Sequence, residues 1–274
     1  MRISRFEASV NYILLGVFAI FSLTPLVGVL LSAFTPTSES RSGFQWPSTL
    51  TWANFSEAWE RGRFSDYMLN SVLVTAGVVA LTIVLSVLAG YAFAAMRFPG
   101  RTVLFYVMLL GLMLPVESFI IPLYYDLRGI GLTDTYWALL LPQTAQSLAF
   151  GVFWMRNYFR SFPDSVLEAG RMDGADDRTL LWRVLVPSSG PAMMTMGLLI
   201  GMWTWNEFLL PLIMISGEGL RTAPLGLAFF QGQHATEQSL LAAAATIVAL
   251  PIVIVYLFMQ RRFIAGMLGG AVKG

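Results

Sequence analysis

Cysteine is absent from the 274 residues, histidine occurs once, at His234, and lysine once, at Lys273. Without cysteine there can be no disulfide and no thiolate metal site, and a single histidine cannot build a histidine metal cluster. A phosphate-binding P-loop needs a Gly-Lys-Ser/Thr unit opening a helix, and the penultimate lysine has no such context. If ATP drives this protein, another chain must hold the nucleotide. Charge is scarce as well: 12% of residues are Asp, Glu, Lys or Arg, against roughly a quarter in soluble domains. A net charge of +1 with no dense basic loop argues against nucleic-acid binding.

What the chain has in abundance is uninterrupted apolar sequence, with 56% hydrophobic residues. Roughly 20 apolar residues cross the hydrocarbon core as a helix. Uncharged stretches run from Ala8 to Ser38, Tyr67 to Met96, Thr135 to Met155, Val184 to Asn206 and Gln238 to Gln260. Thr102 to Tyr125 adds another, apolar apart from Glu117, and the Val184 stretch continues past Glu207 to about Ile215. Blocks such as Val72 to Leu88 lack the alternation of a barrel strand, so the crossings are helices. The expected fold is all-α and polytopic, with six transmembrane helices. The first block is read as a helix and not as a cleaved leader.

An even number of crossings puts both termini on one side. Twelve Lys and Arg fall on the side shared by the termini, Arg97, Arg101 and the segment Arg156 to Arg183, against five on the other. The positive-inside rule makes the first side cytoplasmic. The external side then carries a loop over residues 35–66, with a surface-lying helix expected near Asn54 to Arg61, and a second loop containing His234. Proline is expected to kink the first helix at Pro25 and the third at Pro115 and Pro122. An intramembrane enzyme would be left with carboxylates alone. An ion-coupled transporter would centre on Glu117 and Glu207, although no internal repeat is visible.

The substantial cytoplasmic segment is 156–189, where ten charged residues separate two spans. It reads as two short helices meeting at Gly174, which permits the positive φ of a helix end. Asp164 or Ser165 is expected to cap the first, Asp176 or Asp177 the second, and Pro187 to halt it. Leu180, Leu181, Val184 and Leu185 share one face by the i, i+3, i+4 rule and would hold the second helix to the bundle. From the residues alone this elbow is either a connector or a docking element.

Glu168, Ala169, Asp173, Gly174 and Ala175, with Pro187 and Pro191 beyond, resemble the EAA loop of ABC importer permeases. Gly170 departs from that pattern, where a second alanine is usual, and so does Leu181, where an aromatic is common; Trp182 stands one position later. Gly170 should weaken its helix by up to about 1 kcal/mol relative to alanine. Further segments look like the carbohydrate-uptake, maltose-type branch: Trp52-Ala53-Asn54-Phe55, Asn70-Ser71, Arg97-Phe98-Pro99-Gly100, Leu114-Pro115, Trp205-Asn206-Glu207-Phe208 and Gly270 to Gly274.

The resemblance implies the ABC type I importer permease fold and a bacterial or archaeal cytoplasmic (inner) membrane. It implies a sister permease, two ATPase subunits carrying ATP and Mg, an extracytoplasmic solute-binding protein, and no cofactor on this chain. The elbow would be the coupling helix, with Glu168 facing basic residues of the ATPase. The cytoplasmic tail, 261–274, would add a second contact through Gly270, Val272, Lys273 and Gly274. The cargo would be a sugar or oligosaccharide, or else a polyol, glycerol-phosphate-type or amino-sugar solute. Charged groups inside spans are costly and usually face a bundle interior or water. Glu117, Gln143, Gln146, Asn206 and Glu207 are therefore the translocation-path candidates; the two carboxylates also read as a structural pair with the sister subunit or as groups at the headgroup level.

Overall fold

A computed structural model of the chain describes residues 5–39, 46–230 and 237–271. Among the described residues there is no strand. In chain order the main helices are α1 (Arg5–Phe34), α2 (Ala53–Arg61), α3 (Phe64–Ala95), α4 (Arg101–Leu110), α5 (Ile120–Gly129), α6 (Trp137–Arg160), α7 (Asp164–Met172), α8 (Asp177–Ser188), α9 (Gly190–Trp205), α10 (Leu209–Met214) and α11 (Gln238–Ala271). The chain forms two compact units: residues up to Ser65 with Gly226–Pro251, and Asp66–Leu225 with the segment from Ile252.

In the first unit α1 runs as one helix through Pro25, and most of its large apolar side chains between Phe6 and Leu30 are exposed. Such a surface is stable in hydrocarbon or against another apolar helix, not in water. The expected helix near Asn54 is α2. Its buried Asn54 donates through Nδ2 to the carbonyls of Ala33 and Thr35 at 2.8 and 2.7 Å, satisfying acceptors at the end of α1. Phe34 packs on Trp52 and Phe55 beside that contact. At the far end of α2, Arg61 pairs with Glu57 and Glu237 at 2.9 and 3.0 Å.

The core of the second unit is the crossing of α3 with α6 and α9. Small residues make the approach close, as membrane helices require when no solvent drives them together. A Cβ added at Gly151 of α6 would lie 2.1 Å from Ser86 Oγ of α3, and one at Gly90 of α3 would lie 2.8 Å from Met155 Cβ of α6. Val74, Val78, Leu139, Met155, Met196 and Ile200 fill the space around this crossing.

Three helical stretches, Phe6–Phe34, Phe64–Ala95 and Gln238–Gln260, are long and apolar enough to span, and a fourth if α8 and α9 count as one bent span. Helix α6 has 24 residues, about 36 Å at 1.5 Å each, though it carries Gln143, Gln146 and Arg156. The third expected crossing is not one helix: α4 ends at Leu110, and Val116–Ser118 forms a separate 3-10 turn before α5. Pro115 lacks an amide donor and biases Leu114 away from the helical region, which accounts for the interruption. The fifth expected crossing is broken twice, by a 73° bend between α8 and α9 and by the residues between Trp205 and Leu209.

Side chains close the ends of these helices opposite the elbow. Asn70 donates through Nδ2 to the Gly219 and Arg221 carbonyls at 2.9 and 3.0 Å and accepts from the Tyr136 hydroxyl at 2.7 Å. Ser71 Oγ accepts from the Ala223 amide at 2.8 Å, and Asp134 Oδ1 accepts from the Ser216 and Gly217 amides.

The α3–α6 contact makes a direct prediction. Gly151→Ala should destabilise by about 1–3 kcal/mol through overpacking, read as a lower melting temperature of the detergent-purified protein. Ser86 Oγ is buried without a hydrogen-bond partner, so adding Ser86→Ala should restore part of the loss; a double variant no better than Gly151→Ala would place the strain elsewhere.

Candidate functional site

The elbow between α6 and α9 begins one residue earlier than the capping rule suggested. Neither Asp164 nor Ser165 is the cap: Pro163 occupies the N-cap position, with extended backbone and no side-chain cap bond, and Asp164 is the first helical residue. Proline already has a suitable φ and no amide to satisfy, so the helix starts directly behind it.

Helix α7 ends as its sequence predicts. Gly174 has φ +80°; its amide donates to the Arg171 carbonyl and that of Ala175 to the Gly170 carbonyl, both at 3.0 Å. These two bonds are the Schellman closure, which uses acceptors the helix end would leave open. Asp176 then caps α8, its Oδ1 accepting from the Thr179 amide at 2.8 Å. Hydrogen bonding from Thr179, through its side chain and then its backbone, holds the Asp176 carboxyl below the usual carboxylate range.

Leu180, Leu181 and Leu185 are buried, as their spacing required, and Val184 is half-buried. Pro187 does not halt this helix. It lies in the last turn of α8, directly after a π-helical turn over Leu180–Leu185. There the backbone bonds already reach five residues back, Val186 to Leu181, so the missing proline amide interrupts no four-residue ladder. The chain breaks at Ser189 instead.

Three side-chain hydrogen bonds fasten the elbow and the start of α9 to the bundle. The Tyr91 hydroxyl of α3 donates to Asp177 Oδ1 at 2.8 Å. The Tyr158 hydroxyl and Trp154 Nε1, both on α6, donate to the carbonyls of Ser188 and Ala192 at 2.8 and 3.1 Å, on either side of the bend. Gly170 accounts for its own departure from alanine: a Cβ there would lie 2.6 Å from Leu180 Cδ2, a side chain only 1% exposed. The glycine loses helix propensity but lets α7 close on α8. Tyr91, Trp154 and Tyr158 carry no signal of this role in the sequence, because no local spacing links them to partners 30 to 86 positions away.

The opposite side of α7 is open. Glu168, Ala169, Asp173 and Gly174 are exposed, Ala175 is half-buried, and Met172 is 88% exposed. Among the described residues Glu168 makes no hydrogen bond or ion pair. The elbow thus presents a carboxylate beside exposed apolar side chains on a frame bonded to α3 and α6.

The path candidates are not gathered into one cluster by hydrogen bonds among the described residues. Glu117 is exposed in the 3-10 turn before α5, and Gln146 is exposed on α6. Gln143 is 4% exposed and its Oε1 has no partner. Asn206 donates through Nδ2 to the Met202 carbonyl at 2.8 Å, and the half-buried Glu207 accepts at Oε1 from the Leu210 amide at 3.0 Å. Both carboxylates expected inside spans therefore stand at helix interruptions, where backbone donors need acceptors. Gly270 falls within α11, whereas Val272, Lys273, Gly274 and His234 lie outside the described residues.

Residues 82–269, which include the elbow and both interruptions, match the family of binding-protein-dependent transport system inner membrane components. The chain belongs to this family. Among named relatives, the arabinooligosaccharides transport system permease protein of Halalkalibacterium halodurans is 34% identical, covering 93% of each chain. The trehalose transport system permease protein of Mycobacterium tuberculosis is also 34% identical and also covers 93% of each. The diacetylchitobiose uptake system permease protein of Streptomyces coelicolor is 33% identical, over 94% of this chain and 86% of that one. In fold, the chain is similar to a solved bacterial ABC transporter involved in import of the acidic polysaccharide alginate, with TM-score 0.81, 24% identity and coverage of 96% of this chain and 99% of that one. A permease of this family is a multi-pass transport subunit and not an enzyme.

The Asp176 cap carries a pH signature. Because its carboxyl is depressed in the folded state, its contribution is present above the unfolded value near 4 and fades as pH falls through the lower folded value. Asp176→Ala should therefore lower the melting temperature at pH 7, with the gap to the unmutated protein closing below about pH 4. A gap independent of pH would show that the carboxylate is not the stabilising group.

Proposed function

We propose that this permease forms one half of a heterodimeric pore that admits a sugar or oligosaccharide delivered by an extracytoplasmic solute-binding protein. Two separate ATPase subunits bind ATP and Mg and close on the elbow from Glu168 to Gly174. The reading sets six crossings and both termini on the cytoplasmic side, in a bacterial or archaeal inner membrane. It is supported for the cargo by relatives named for arabinooligosaccharides, trehalose and diacetylchitobiose. A solved relative in fold is a complex with an alginate pentasaccharide-bound periplasmic protein, with TM-score 0.71 and 14% identity.

The observation that carries the coupling role is Glu168, exposed and unpaired among the described residues, on α7, which closes through Gly170 on Leu180 of α8; α8 is in turn bonded to Tyr91 and Tyr158. A rigid element can pass a partner's closure to α6 and α9 as a rigid-body displacement, which is what a two-state transport cycle needs. The tail beyond Gln260 supplies a second contact with the ATPase. Combining Glu168→Gln with Gly174→Ala should abolish co-purification of the ATPase, since alanine at φ +80° costs about 1–2 kcal/mol and the charge is lost. Full recovery of the ATPase and normal uptake would reject the dock.

Glu117, Gln143, Gln146, Asn206 and Glu207 provide carboxylates and amides matched to sugar hydroxyls. Glu207→Gln keeps an acceptor for the Leu210 amide while removing the charge. Transport should fall several-fold with complex assembly intact; unchanged uptake would confine Glu207 to its structural bond.

A further inference from the structure

A basic cavity lies at the junction of α3 and α4, at the same end of the second unit as the elbow. It measures about 470 Å3 and is lined by Arg97, Phe98, Gly100, Arg101, Thr102 and Val103. Arg101 is oriented by donating through Nη1 to the Met96 carbonyl at 2.8 Å. Gly100 takes φ +79° directly before α4. Among first-turn amides, those of Arg101 and Leu104 reach the Phe98 and Gly100 carbonyls. The Thr102 and Val103 amides have no intrahelical partner, as at any helix start, and both residues line the cavity together with Arg97 and Arg101.

The positive charge extends to α6. Arg156 donates through Nε to the Phe93 carbonyl at 3.4 Å, and its guanidinium lies 3.9 Å over the Phe105 ring. Its charged neighbours are Arg101 and Arg160, both cations. Among the described residues, no carboxylate forms an ion pair with Arg97, Arg101, Arg156 or Arg160. Clustered like charges repel unless an outside anion balances them.

One surface continues directly from this cluster. Along α4, beyond the arginines, Val103, Leu104, Tyr106, Val107 and Leu110 are all more than half exposed. A soluble anion would find donors here but nothing to match the apolar strip. A molecule with a phosphate at one end and hydrocarbon at the other fits both.

We propose that the α3–α4 turn, with Arg97 and Arg101 as primary contacts and Arg156 and Arg160 as supporting charge, is a binding site for the headgroup of an anionic phospholipid of the cytoplasmic leaflet. The site rests on the cytoplasmic placement of this end proposed above. Because Arg156 and Arg160 are on α6, which leads straight into α7, the lipid would brace the base of the coupling elbow.

The test uses the whole complex with its ATPase, in nanodiscs of phosphatidylcholine with or without phosphatidylglycerol. Native mass spectrometry should detect phosphatidylglycerol retained on the permease. Arg97→Gln with Arg101→Gln should reduce that retention by roughly five-fold per arginine, the weight of one basic group at an anionic surface. The corresponding lysine variants should keep most of it, and Arg128→Gln, on α5, should change nothing. Equal retention by the double glutamine variant overturns the site. Displacement of the lipid by inorganic phosphate alone overturns it in favour of a soluble-anion site. Loss of the ATPase with lipid retention unchanged overturns it in favour of a protein contact. A cysteine introduced as Thr102→Cys, in a chain without others, separates the premises. Labelling only from outside sinks the cytoplasmic placement, whereas labelling from inside with unchanged retention sinks the lipid site alone.

Discussion

Within a bilayer no water is available to bond a backbone amide or carbonyl, so every departure from helix must be balanced by protein groups. That constraint organises the second unit. Its crossings are interrupted near Pro115, Ser189 and Asn206, and a polar side chain stands at each interruption of the bent fifth crossing. Tyr158 and Trp154 take the carbonyls beside the Ser189 bend. Asn206 takes the Met202 carbonyl and Glu207 the Leu210 amide on the two sides of the next break. At the helix ends opposite the elbow Asn70, Ser71 and Asp134 do the same for the loop between Ser216 and Ala223.

Seen this way, several segments singled out by their sequence resemblance have a shared physical role. Asn54 closes α1, Asn70 and Ser71 hold the loop between Ser216 and Ala223, and Asn206 with Glu207 close a broken helix. Short amide and hydroxyl side chains suit this work because they carry donors or acceptors with few rotamers to freeze. A broken helix secured at both ends is also a jointed one, which can bend without exposing backbone to lipid. The elbow is the counterpart between α6 and α9: closed by its own Schellman bonds and the Asp176 cap, and hung from α3 and α6 by Tyr91 and Tyr158.

Local chemistry was readable where a residue's role depends on its immediate neighbours. Gly174 at positive φ, Asp176 as a cap and the buried face of Leu180, Leu181 and Leu185 all follow from spacing within a turn or two. Pro187 was misread because its usual effect assumes a four-residue ladder, and the preceding π-helical turn had already altered that ladder. Asp164 was misread because Pro163 competes for the same position. Gly170 looked like a weak point in α7 and is instead the space that Leu180 fills, a fact held by a contact between two helices.

The sequence by itself determined an all-helical membrane chain, the exclusion of disulfides, thiolate or histidine-cluster metal sites and a P-loop, and the position of the elbow between two apolar blocks. These follow from composition and block length, because bilayer thickness is a fixed ruler and residue types decide what chemistry is possible. Only the tertiary structure decided that two expected crossings are broken, that Glu117 and Glu207 stand at those breaks, and that Arg156 has Arg101 and Arg160 for charged neighbours. Those features arise from groups brought together across dozens of residues, where local pattern is silent and packing chooses the partner.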